Sequence, residues 1–290
     1  MRGDARLFGV LGDPVDHSLS PAMQNAAFAA ERLPHLYLRF RVPPPALPAA
    51  FAEARRLGMG GLNLTVPLKE AALPLVDVVT AEAARVGAVN TIVFEPDRLV
   101  GDNTDARGFL RALGDRVDLA RSHVVVIGAG GSARAVGTAL ASAGCRHVTI
   151  ANRTLPRAEE LARRLASEGM RVDATGLDAL VDGDVLADAR LVVNTTSTGL
   201  GDEAVPVRHG TAPGNCLFMD LVYGPRPTAF LRAAARARRP VLEGGGMLLH
   251  QGALAFEAWT GRPAPLEPMR RALAAAGVAT SAPAARGRGA

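Results

Sequence analysis

The sequence is poor in several residue types, and each shortage narrows what the protein can be. Its two cysteines, Cys145 and Cys216, stand too far apart for a redox or zinc pair, and we expect both to be buried. Its six histidines are scattered, so local spacing predicts no metal site. The chain lacks a long uncharged apolar run and an N-terminal leader pattern. We therefore expect a cytoplasmic protein without a membrane partner.

Lysine is the rarest charged residue, although the chain is basic. The net charge is +5, but the basic residues are interspersed with acidic ones rather than clustered, so we predict no nucleic-acid partner. Of 33 basic residues, 32 are arginine and only Lys69 is lysine. Where nearly every basic position is arginine, lysine is kept preferentially at a position where arginine cannot perform the same function. Lys69 is therefore a candidate functional residue.

The first hundred residues alternate strand and helix patterns, which indicates a small α/β domain. Leu36, Leu38, Phe40 and Val42 alternate with Tyr37, Arg39 and Arg41, as in a strand covered on one face. Ser20 and Pro21 are typical of a helix start, with Ser20 as the N-cap. We predict strands at 7–11, 36–42, 61–64 and 88–94, and helices from 20 and over 47–57.

The pattern restarts after a connecting helix predicted over 105–113. Residues 123–127, which are β-branched from Val124 on, form the run expected of a parallel strand buried on both faces. A glycine turn, a helix to 143 and a strand over 147–151 complete a βαβ unit. Further strands are predicted over 190–193 and 216–221, and helix from 246 to 276. The whole chain is therefore predicted to have an α/β fold with a Rossmann-type dinucleotide-binding domain.

The glycine turn is the first candidate binding site. Its first glycine, Gly128, permits a tight turn, and Gly130 lets a pyrophosphate approach the helix N-terminus, where unpaired N–H groups favour anions. The remaining members of the predicted cofactor loop are Ala129, Gly131, Ser132 and Ala133, of which Ala133 stands at the usual third glycine.

The end of the second strand of this βαβ unit indicates which dinucleotide binds. NAD sites usually carry an acid there, whereas this chain has Asn152, Arg153 and Thr154. Arginine can clamp a 2′-phosphate with two hydrogen bonds, and Arg157 can add a second cation. NADP(H) is the predicted cofactor; the alternative is an ordinary surface arginine at a strand end.

Lys69 ends the segment 61–69, just beyond a predicted strand. Reduction of a ketone by hydride leaves an oxyanion that needs a proton, which an ammonium can supply and an arginine cannot. The alternative is a solvated lysine at a helix start. Asp105, which follows Asn103 and Thr104, is either a helix N-cap or the carboxylate that holds Lys69 in place.

Taken together, these motifs resemble the shikimate dehydrogenase family, and the similarity covers nearly the whole chain. The resemblance implies reduction of 3-dehydroshikimate to shikimate with NADPH, in the pathway that leads through chorismate to aromatic amino acids. It also implies a substrate-binding and catalytic domain over 1–105, completed by helices over 246–276, a Rossmann domain over 106–245, and a disordered tail over 277–290. The segments that carry it are 12–21, 63–69, 87–91, 103–105, 128–133, 152–154, 194–197, 220–223 and 246–251.

The resemblance also implies roles for individual residues. Lys69 and Asp105 are implied to be catalytic and to contact the substrate. The implied substrate contacts are otherwise Ser18, Ser20, Thr65, Asn90, Tyr223 and Gln251, and the cofactor contacts beyond the glycine turn and the Asn152 to Arg157 segment are Thr195, Thr196, Ser197, Leu221, Gly244 and Met247. Several neutral hydrogen-bonding groups suit a polyhydroxylated ring. Leu68 and Ala133 depart slightly from the pattern of the family.

Two alternatives stay open at this point. A relative that acts on quinate or aminoshikimate would share most of these motifs, although Ser18, Ser20 and Arg153 favour shikimate and NADP. A non-catalytic NADP-binding sensor on the same fold would lack a reason to keep both Lys69 and Asp105. The expected partner is a small-molecule substrate, and the resemblance allows a homodimer.

Overall fold

The computed structural model describes residues 5–166, 169–182, 184–198 and 205–280. The chain divides into two compact units. The first extends to Gly108 and includes Leu248–Ala276, and the second comprises Phe109–Met247 with the residues from Gly277 on. Both units are mixtures of helices and strands, so the predicted α/β class is confirmed.

The first unit alternates short strands and helices around one mixed sheet. Its elements are β1 (Leu7–Gly12), α1 (Ser20–Ala30), β2 (Leu36–Arg41), α2 (Leu47–Arg56), β3 (Gly61–Leu64), α3 (Leu68–Ala71), β4 (Val78–Val79), α4 (Ala81–Val86), β5 (Thr91–Phe94), β6 (Leu99–Asp102) and the start of α5 (Asp105–Leu113), which continues into the second unit. The strand order is β2-β1-β3-β5-β6-β4; β1 is parallel to β2 and β3, β5 is antiparallel to β3 and β6, and β4 is parallel to β6.

The second unit is built on a six-stranded parallel sheet. Its elements are β7 (His123–Ile127), α6 (Gly131–Ser142), β8 (His147–Ala151), α7 (Leu155–Ala166), β9 (Arg171–Thr175), α8 (Ala179–Asp182), β10 (Ala189–Asn194), β11 (Leu217–Asp220), α9 (Ala229–Arg236) and β12 (Val241–Glu243). The strand order is β12-β11-β10-β7-β8-β9, so the sheet begins at β7 in the middle and extends in both directions, which is the doubly wound Rossmann arrangement. The last two helices return to the first unit: α10 (Gly245–Thr260) enters it at Leu248, and α11 (Leu266–Ala275) lies wholly within it.

Six short 3-10 helices join these elements. They lie at Pro44–Ala46, Leu73–Leu75, Gly114–Arg116, Leu119–Arg121, Asp184–Leu186 and His209–Thr211. The count refers to the four described ranges only.

In β2 the buried face is the opposite of the one that the alternation of apolar residues predicts. Tyr37 is fully buried, whereas Leu36 and Leu38 are 50% and 38% exposed. Because β2 is an edge strand, its apolar residues are not enclosed by a neighbour on both sides. Tyr37 instead packs near Trp259, with ring centroids 6.0 Å apart, and its hydroxyl donates to Asn63. A buried aromatic ring with a paired hydroxyl outweighs the simple apolar pattern.

Three smaller expectations also need correction. Ser20 is the first residue of α1 rather than its N-cap, and its own N–H donates to Oγ of Ser18. The strand predicted over 88–94 begins only at Thr91, because Asn90 turns its side chain and carbonyl into other hydrogen bonds. Val278 is buried, so the tail predicted as disordered is packed at its start; its residues 281–290 lie outside the described residues.

The remaining core expectations agree with the structure. Every residue of β7 is buried, as predicted for a strand covered on both faces. Cys145 and Cys216 are both buried, and burial raises the pKa of the Cys216 thiol to about 12. A thiol of this kind is a poor nucleophile. None of the described helices is both long enough and apolar enough to cross a bilayer.

Candidate active site

Lys69 lies in α3, just after the turn that follows β3. Its ammonium nitrogen Nζ is 2.6 Å from Oδ2 of Asp105, and the two side chains are 13% and 5% exposed. An ammonium largely removed from water needs such a partner, because an unpaired charge away from water is costly. Lys69 is therefore not a solvated lysine at a helix start.

Asp105 is the first residue of α5, but its carboxylate does not serve as the cap. The side-chain oxygen at this helix start comes from Asn103, whose Oδ1 accepts from the N–H of Asp105 at 3.0 Å. The Asp105 carboxylate accepts from Lys69 on one oxygen and from Nδ2 of Asn90 on the other, at 2.8 Å. Both oxygens are thus fixed, and the N-cap interpretation is wrong.

Asn90 fixes the orientation of the Asp105 carboxylate that pairs with Lys69. Its Oδ1 accepts from the backbone N–H of Thr104 and from the hydroxyl of Thr91, each at 2.9 Å. The carbonyl end is therefore occupied, and the amide end must face Asp105. Asn90 itself is 2% exposed, so these hydrogen bonds compete with no bulk water.

A second line of polar residues supports Asn90, and the sequence did not predict its role. The hydroxyl of Tyr37 donates to Oδ1 of Asn63 at 2.8 Å, and Nδ2 of Asn63 donates to the carbonyl of Asn90 and to Oγ1 of Thr91, both at 3.1 Å. The line runs from the edge strand through β3 and β5 to Asn90. The one available signal was that asparagine, a scarce residue, recurs in these motifs.

The turn after β3 lies at the same sheet edge as the turn after β1, because these strands are parallel. Gly12 ends β1, and a Cβ on it would lie 2.4 Å from the methyl group of Thr65. Glycine at this position therefore lets Thr65 pack against the end of β1. Ser18, which follows β1, and Thr65 consequently leave the sheet at its carboxyl edge, where ligands bind in many α/β sheets.

In the second unit, the glycine turn connects β7 to α6 as predicted. Gly128 has φ +112°, which side-chain-bearing residues rarely adopt, and a Cβ there would lie 2.6 Å from Oγ1 of Thr195. Thr195 follows β10, and its N–H and hydroxyl both donate to the carbonyl of Ile127. This is the point where the strand order reverses, which is where Rossmann sheets bind dinucleotides.

The N-terminus of α6 fits a pyrophosphate. The N-cap is Gly130, no side chain caps the helix, and a Cβ on Gly130 would meet nothing within 4 Å. The N–H groups of the first turn of a 12-residue helix therefore face open space, and they favour an anion.

The end of β8 carries the residues predicted to contact the ribose of the cofactor. Nδ2 of Asn152 donates to the carbonyl of Thr154 at 2.9 Å and so closes the turn. Arg153 and Arg157 are exposed, and neither forms an ion pair with another described residue. Two unpaired guanidinium groups beside the glycine turn are suited to a ribose 2′-phosphate.

Comparison with known proteins decides the family. The model for the shikimate dehydrogenase substrate binding domain matches residues 10–92, that for shikimate / quinate 5-dehydrogenase matches 111–203, and that for the shikimate 5′-dehydrogenase C-terminal domain matches 244–274. The shikimate dehydrogenase (NADP⁺) of Moorella thermoacetica is 47% identical over 298 residues, with 99% of each chain covered. The chain belongs to the shikimate dehydrogenase family.

Two further relatives extend this result. The shikimate dehydrogenase (NADP⁺) of Methanopyrus kandleri is 44% identical, with 93% of this chain and 95% of the relative covered. The crystal structure of shikimate 5-dehydrogenase from Thermus thermophilus in complex with NADP(H) and shikimate is 42% identical and superposes with a TM-score of 0.81. That comparison covers 93% of this chain and 99% of the other.

The residues that the shikimate dehydrogenase resemblance assigns to the substrate fall mainly in the first unit. Ser18 and Ser20 are each 7% exposed, and Gln251 donates from Nε2 to the carbonyl of Leu248 at 2.9 Å. Tyr223 is half-buried in the second unit. Geometry thus joins Lys69, Asn90 and Asp105 directly, whereas Ser18, Ser20, Thr65 and Gln251 share no hydrogen bond with those three within the described residues.

The other cofactor residues assigned by the shikimate dehydrogenase resemblance lie at the ends of β10, β11 and β12. Thr196 donates from its N–H and hydroxyl to Oδ1 of Asn194, and Ser197 is exposed. Gly244 must be glycine, because a Cβ there would lie 2.4 Å from the carbonyl oxygen of Leu221. Met247 is 7% exposed at the start of α10.

Asp220 is a supporting residue that the sequence analysis did not single out. It is fully buried, and it accepts from the hydroxyl of Thr228 at 2.6 Å and from Asn194 and the Val222 N–H at 3.0 Å. Burial raises the pKa of Asp220 to about 6, against these hydrogen bonds, which lower it. Through Asn194, the carboxyl group fixes the loop that carries Thr196.

We expect this raised pKa to appear in the pH dependence of stability. Unfolded aspartate releases its proton near pH 4, before folded Asp220 does, so stability falls as pH rises from about 4 to 6, by up to about 3 kcal/mol. Urea denaturation at several pH values measures this. Asp220→Asn should flatten the profile, whereas the exposed control Asp97→Asn should leave it unchanged. Equal slopes for the two variants would contradict the assignment.

Proposed function

We propose that the chain catalyses the reversible reduction of 3-dehydroshikimate to shikimate with NADPH. The observation that carries the proposal is the buried pair of Lys69 and Asp105, held by Asn90, in a member of the shikimate dehydrogenase family. The named relatives are NADP⁺-dependent shikimate dehydrogenases, and one is seen with NADP(H) and shikimate bound.

Lys69 supplies the proton in this proposal. When bound, NADPH provides the hydride. Lys69 gives a proton from its ammonium to the oxygen that becomes the shikimate hydroxyl, and Asp105 keeps the resulting amine in place by accepting one of its N–H groups. In the oxidative direction the same amine takes the proton back. In the proton transfer itself Asp105 is a positioning residue, because Lys69 carries the proton. Its contact with a ring hydroxyl belongs to substrate binding.

The substrate contacts in this proposal follow the resemblance to shikimate dehydrogenases. Ser18 and Ser20 bind the substrate carboxylate, Thr65, Asn90, Asp105 and Gln251 hold the ring hydroxyls, and Tyr223 lines the substrate site. Neutral donors and acceptors suit such a ring, because an analogue that lacks one hydroxyl leaves a buried partner without a hydrogen bond. The small anion preferred by a chain of charge +5 agrees with a carboxylate substrate.

In this proposal the glycine turn and Arg153 bind the cofactor. The backbone of Gly128 to Ala133 binds the pyrophosphate, Arg153 and Arg157 bind the 2′-phosphate with Asn152 and Thr154 shaping the turn, and Thr195, Thr196, Ser197, Leu221, Gly244 and Met247 complete the site. Support comes from the uncapped N-terminus of α6 and from two arginines that are exposed and unpaired among the described residues.

Arg153 provides a direct test of cofactor choice. Loss of a charge-assisted, bidentate contact costs about 1.5–3 kcal/mol, so Arg153→Ala should raise the KM for NADP⁺ by roughly 10- to 100-fold while changing that for NAD⁺ little. Arg163→Ala, an exposed arginine on α7, is the matched control. Initial rates with both cofactors measure the ratio. A ratio that stays the same in Arg153→Ala contradicts the assignment.

A single assay separates the remaining alternatives. Purified protein is incubated with NADP⁺ and either shikimate or quinate, and NADPH formation is followed by absorbance. We expect turnover with shikimate to exceed that with quinate clearly. Faster turnover of quinate would favour the quinate-specific alternative. NADPH binding without turnover of either compound would favour the sensor.

The setting of the reaction is also proposed. We place the protein in the cytoplasm and in the pathway through chorismate to aromatic amino acids, with a small-molecule substrate as its partner and neither nucleic acid nor membrane. The support is the family membership and the dispersed charge of the sequence.

A further inference from the structure

Gly108 lies inside α5, three residues after Asp105, and the conformation of the helix does not explain why it is glycine. It has no positive φ, and its N–H donates to the carbonyl of Thr104 at 2.9 Å, as in a regular helix. Glycine inside a helix is less favourable than alanine, because the chain loses more conformational freedom when it folds. Gly108 is also buried, so the reason for a glycine must lie in the packing.

The reason is the close approach of α10. A Cβ on Gly108 would lie 2.8 Å from Cβ of Gln251, 2.9 Å from its backbone nitrogen and 3.0 Å from its Cα. Carbon atoms in packed proteins are best separated by about 3.5–4.0 Å. Two of the three atoms belong to the backbone of α10, so a change of rotamer cannot make room. Any side chain at position 108 therefore pushes Gln251 away from α5.

The first helix contacts α10 at the next residue. Gln24 of α1 is fully buried, and its Nε2 donates to the carbonyl of Gly252 at 2.8 Å. A Cβ on Gly252 would overlap the terminal methyl group of Met23, which also belongs to α1. All of these residues lie in the first unit. Residues 251–252 are thus packed against α5 and bound to α1.

This junction joins three helices that each carry an implied substrate contact. The helix α1 begins with Ser20, α5 begins with Asp105, and α10 contains Gln251. Residues three apart on a helix are neighbours on one face, about 5–6 Å apart, so the contact at Gly108 lies one turn from Asp105. The depth of this contact therefore sets where Gln251 lies relative to Asp105.

We propose that Gly108 is a positioning residue for substrate binding, which places Gln251 at the correct distance from Asp105. The inference rests on the proposed function, in which Gln251 holds a ring hydroxyl. Nε2 of Gln251 donates to the carbonyl of Leu248 in its own helix, so within the described residues Oε1 is the atom left to accept from that hydroxyl. Hydrogen-bond lengths span only about 0.5 Å, so a displacement of about 1 Å loses the contact.

The effect is expected on substrate binding rather than on proton transfer. Lys69 and Asn90 hold both oxygens of the Asp105 carboxylate, and neither residue belongs to α10. A shift of Gln251 therefore leaves the proton-transferring pair in place. The loss of one hydrogen bond to a substrate hydroxyl corresponds to roughly tenfold in affinity. Gly108→Ala should raise the KM for shikimate by about that factor and change kcat less than about threefold.

A double-mutant cycle is the test. Initial rates at saturating NADP⁺ give kcat and the KM for shikimate in the full chain, in Gly108→Ala, in Gln251→Ala and in the double variant. If Gly108 acts by placing Gln251, its substitution has no contact left to disturb once the Gln251 amide is absent. The KM of the double variant should then match that of Gln251→Ala within about twofold. Arg111→Ala, at an exposed position of α5, is the control and should behave as the unchanged protein does.

A second variant keeps the inference testable if Gly108→Ala folds poorly. Gln24→Met keeps the length of the buried side chain but removes the hydrogen bond to Gly252. It should raise the KM for shikimate by about 2- to 5-fold and leave kcat unchanged, because one hydrogen bond that positions α10 is lost. Circular dichroism and thermal unfolding verify the folding of each variant.

Several outcomes would overturn the role of Gly108. They are an unchanged KM in folded Gly108→Ala, a loss confined to kcat, an unchanged KM in Gln251→Ala, and increases in KM that multiply in the double variant. If Gly108→Ala does not fold, an unchanged KM in Gln24→Met overturns it. The unchanged protein separates these results from failure of the proposed function, because absence of shikimate turnover in that protein contradicts the function itself.

Discussion

Replacement of Lys69 by alanine is expected to lower kcat for shikimate oxidation by about 10³-fold, within the 10²–10⁴-fold that general acid–base catalysis contributes. The reason is specific to proton transfer. The substitution removes the amine that exchanges a proton with the reacting oxygen, and Asp105 loses the group that it holds in place. NADP⁺ affinity should stay within about twofold, since the glycine turn lies in the second unit. Steady-state rates and a fluorescence titration of NADPH measure the two quantities.

Lys69→Arg is the sharper control for this prediction. It keeps a positive charge for Asp105 but cannot give up its proton, so its turnover should fall nearly as far as that of Lys69→Ala. Turnover in Lys69→Arg close to normal would mean that charge alone is needed, and Lys69 would not be the proton donor.

The sequence predicted those parts of the fold whose cause is local. A run of apolar residues buried on both faces, a glycine with positive φ and a helix start together specify β7, the turn and α6. The requirement at Gly128 is a backbone one, so it is visible in the sequence. Lys69 could be found for a different reason, because composition isolates it among 32 arginines.

The predictions about the fold that were wrong concern features decided by contacts between residues far apart in the sequence. The alternation in β2 gives the period correctly but not the buried face, which is decided by Trp259, more than two hundred residues away along the chain. The edge position of β2, which leaves Leu36 and Leu38 exposed, follows from the pairing of β1 with both neighbours. Neither fact is present in a local pattern.

In the candidate site, too, the local sequence predicts single residues but not the contacts between distant ones. Asp105 was left between a helix cap and a partner of Lys69, and only the cross-sheet distance decided between them. The support from Tyr37 through Asn63 to Asn90 joins three strands, and no spacing along the chain encodes it. The close approach of Gln251 to Gly108 likewise joins two helices that are far apart in the chain.

Asp105→Asn should lower kcat by about 10²-fold and leave the KM for shikimate less affected. The asparagine keeps an oxygen for Asn90 but turns an N–H group toward Nζ of Lys69, so a donor faces a donor in a buried place. Breaking one side of a buried ion pair costs about 3 kcal/mol, so a lower midpoint of urea denaturation should accompany the loss of activity. Asp97→Asn, at an exposed position of the same unit, should change neither quantity.

The double variant Lys69→Ala/Asp105→Asn separates positioning from an independent contribution. If Asp105 acts only by holding Lys69, it has nothing left to position once the amine is gone, and turnover of the double variant should equal that of Lys69→Ala. Stability should follow the same cycle, because the double variant leaves no unpaired ammonium. If the two losses in kcat instead multiply, Asp105 contributes to turnover independently of Lys69, and its role as a positioning residue in the proton transfer is wrong.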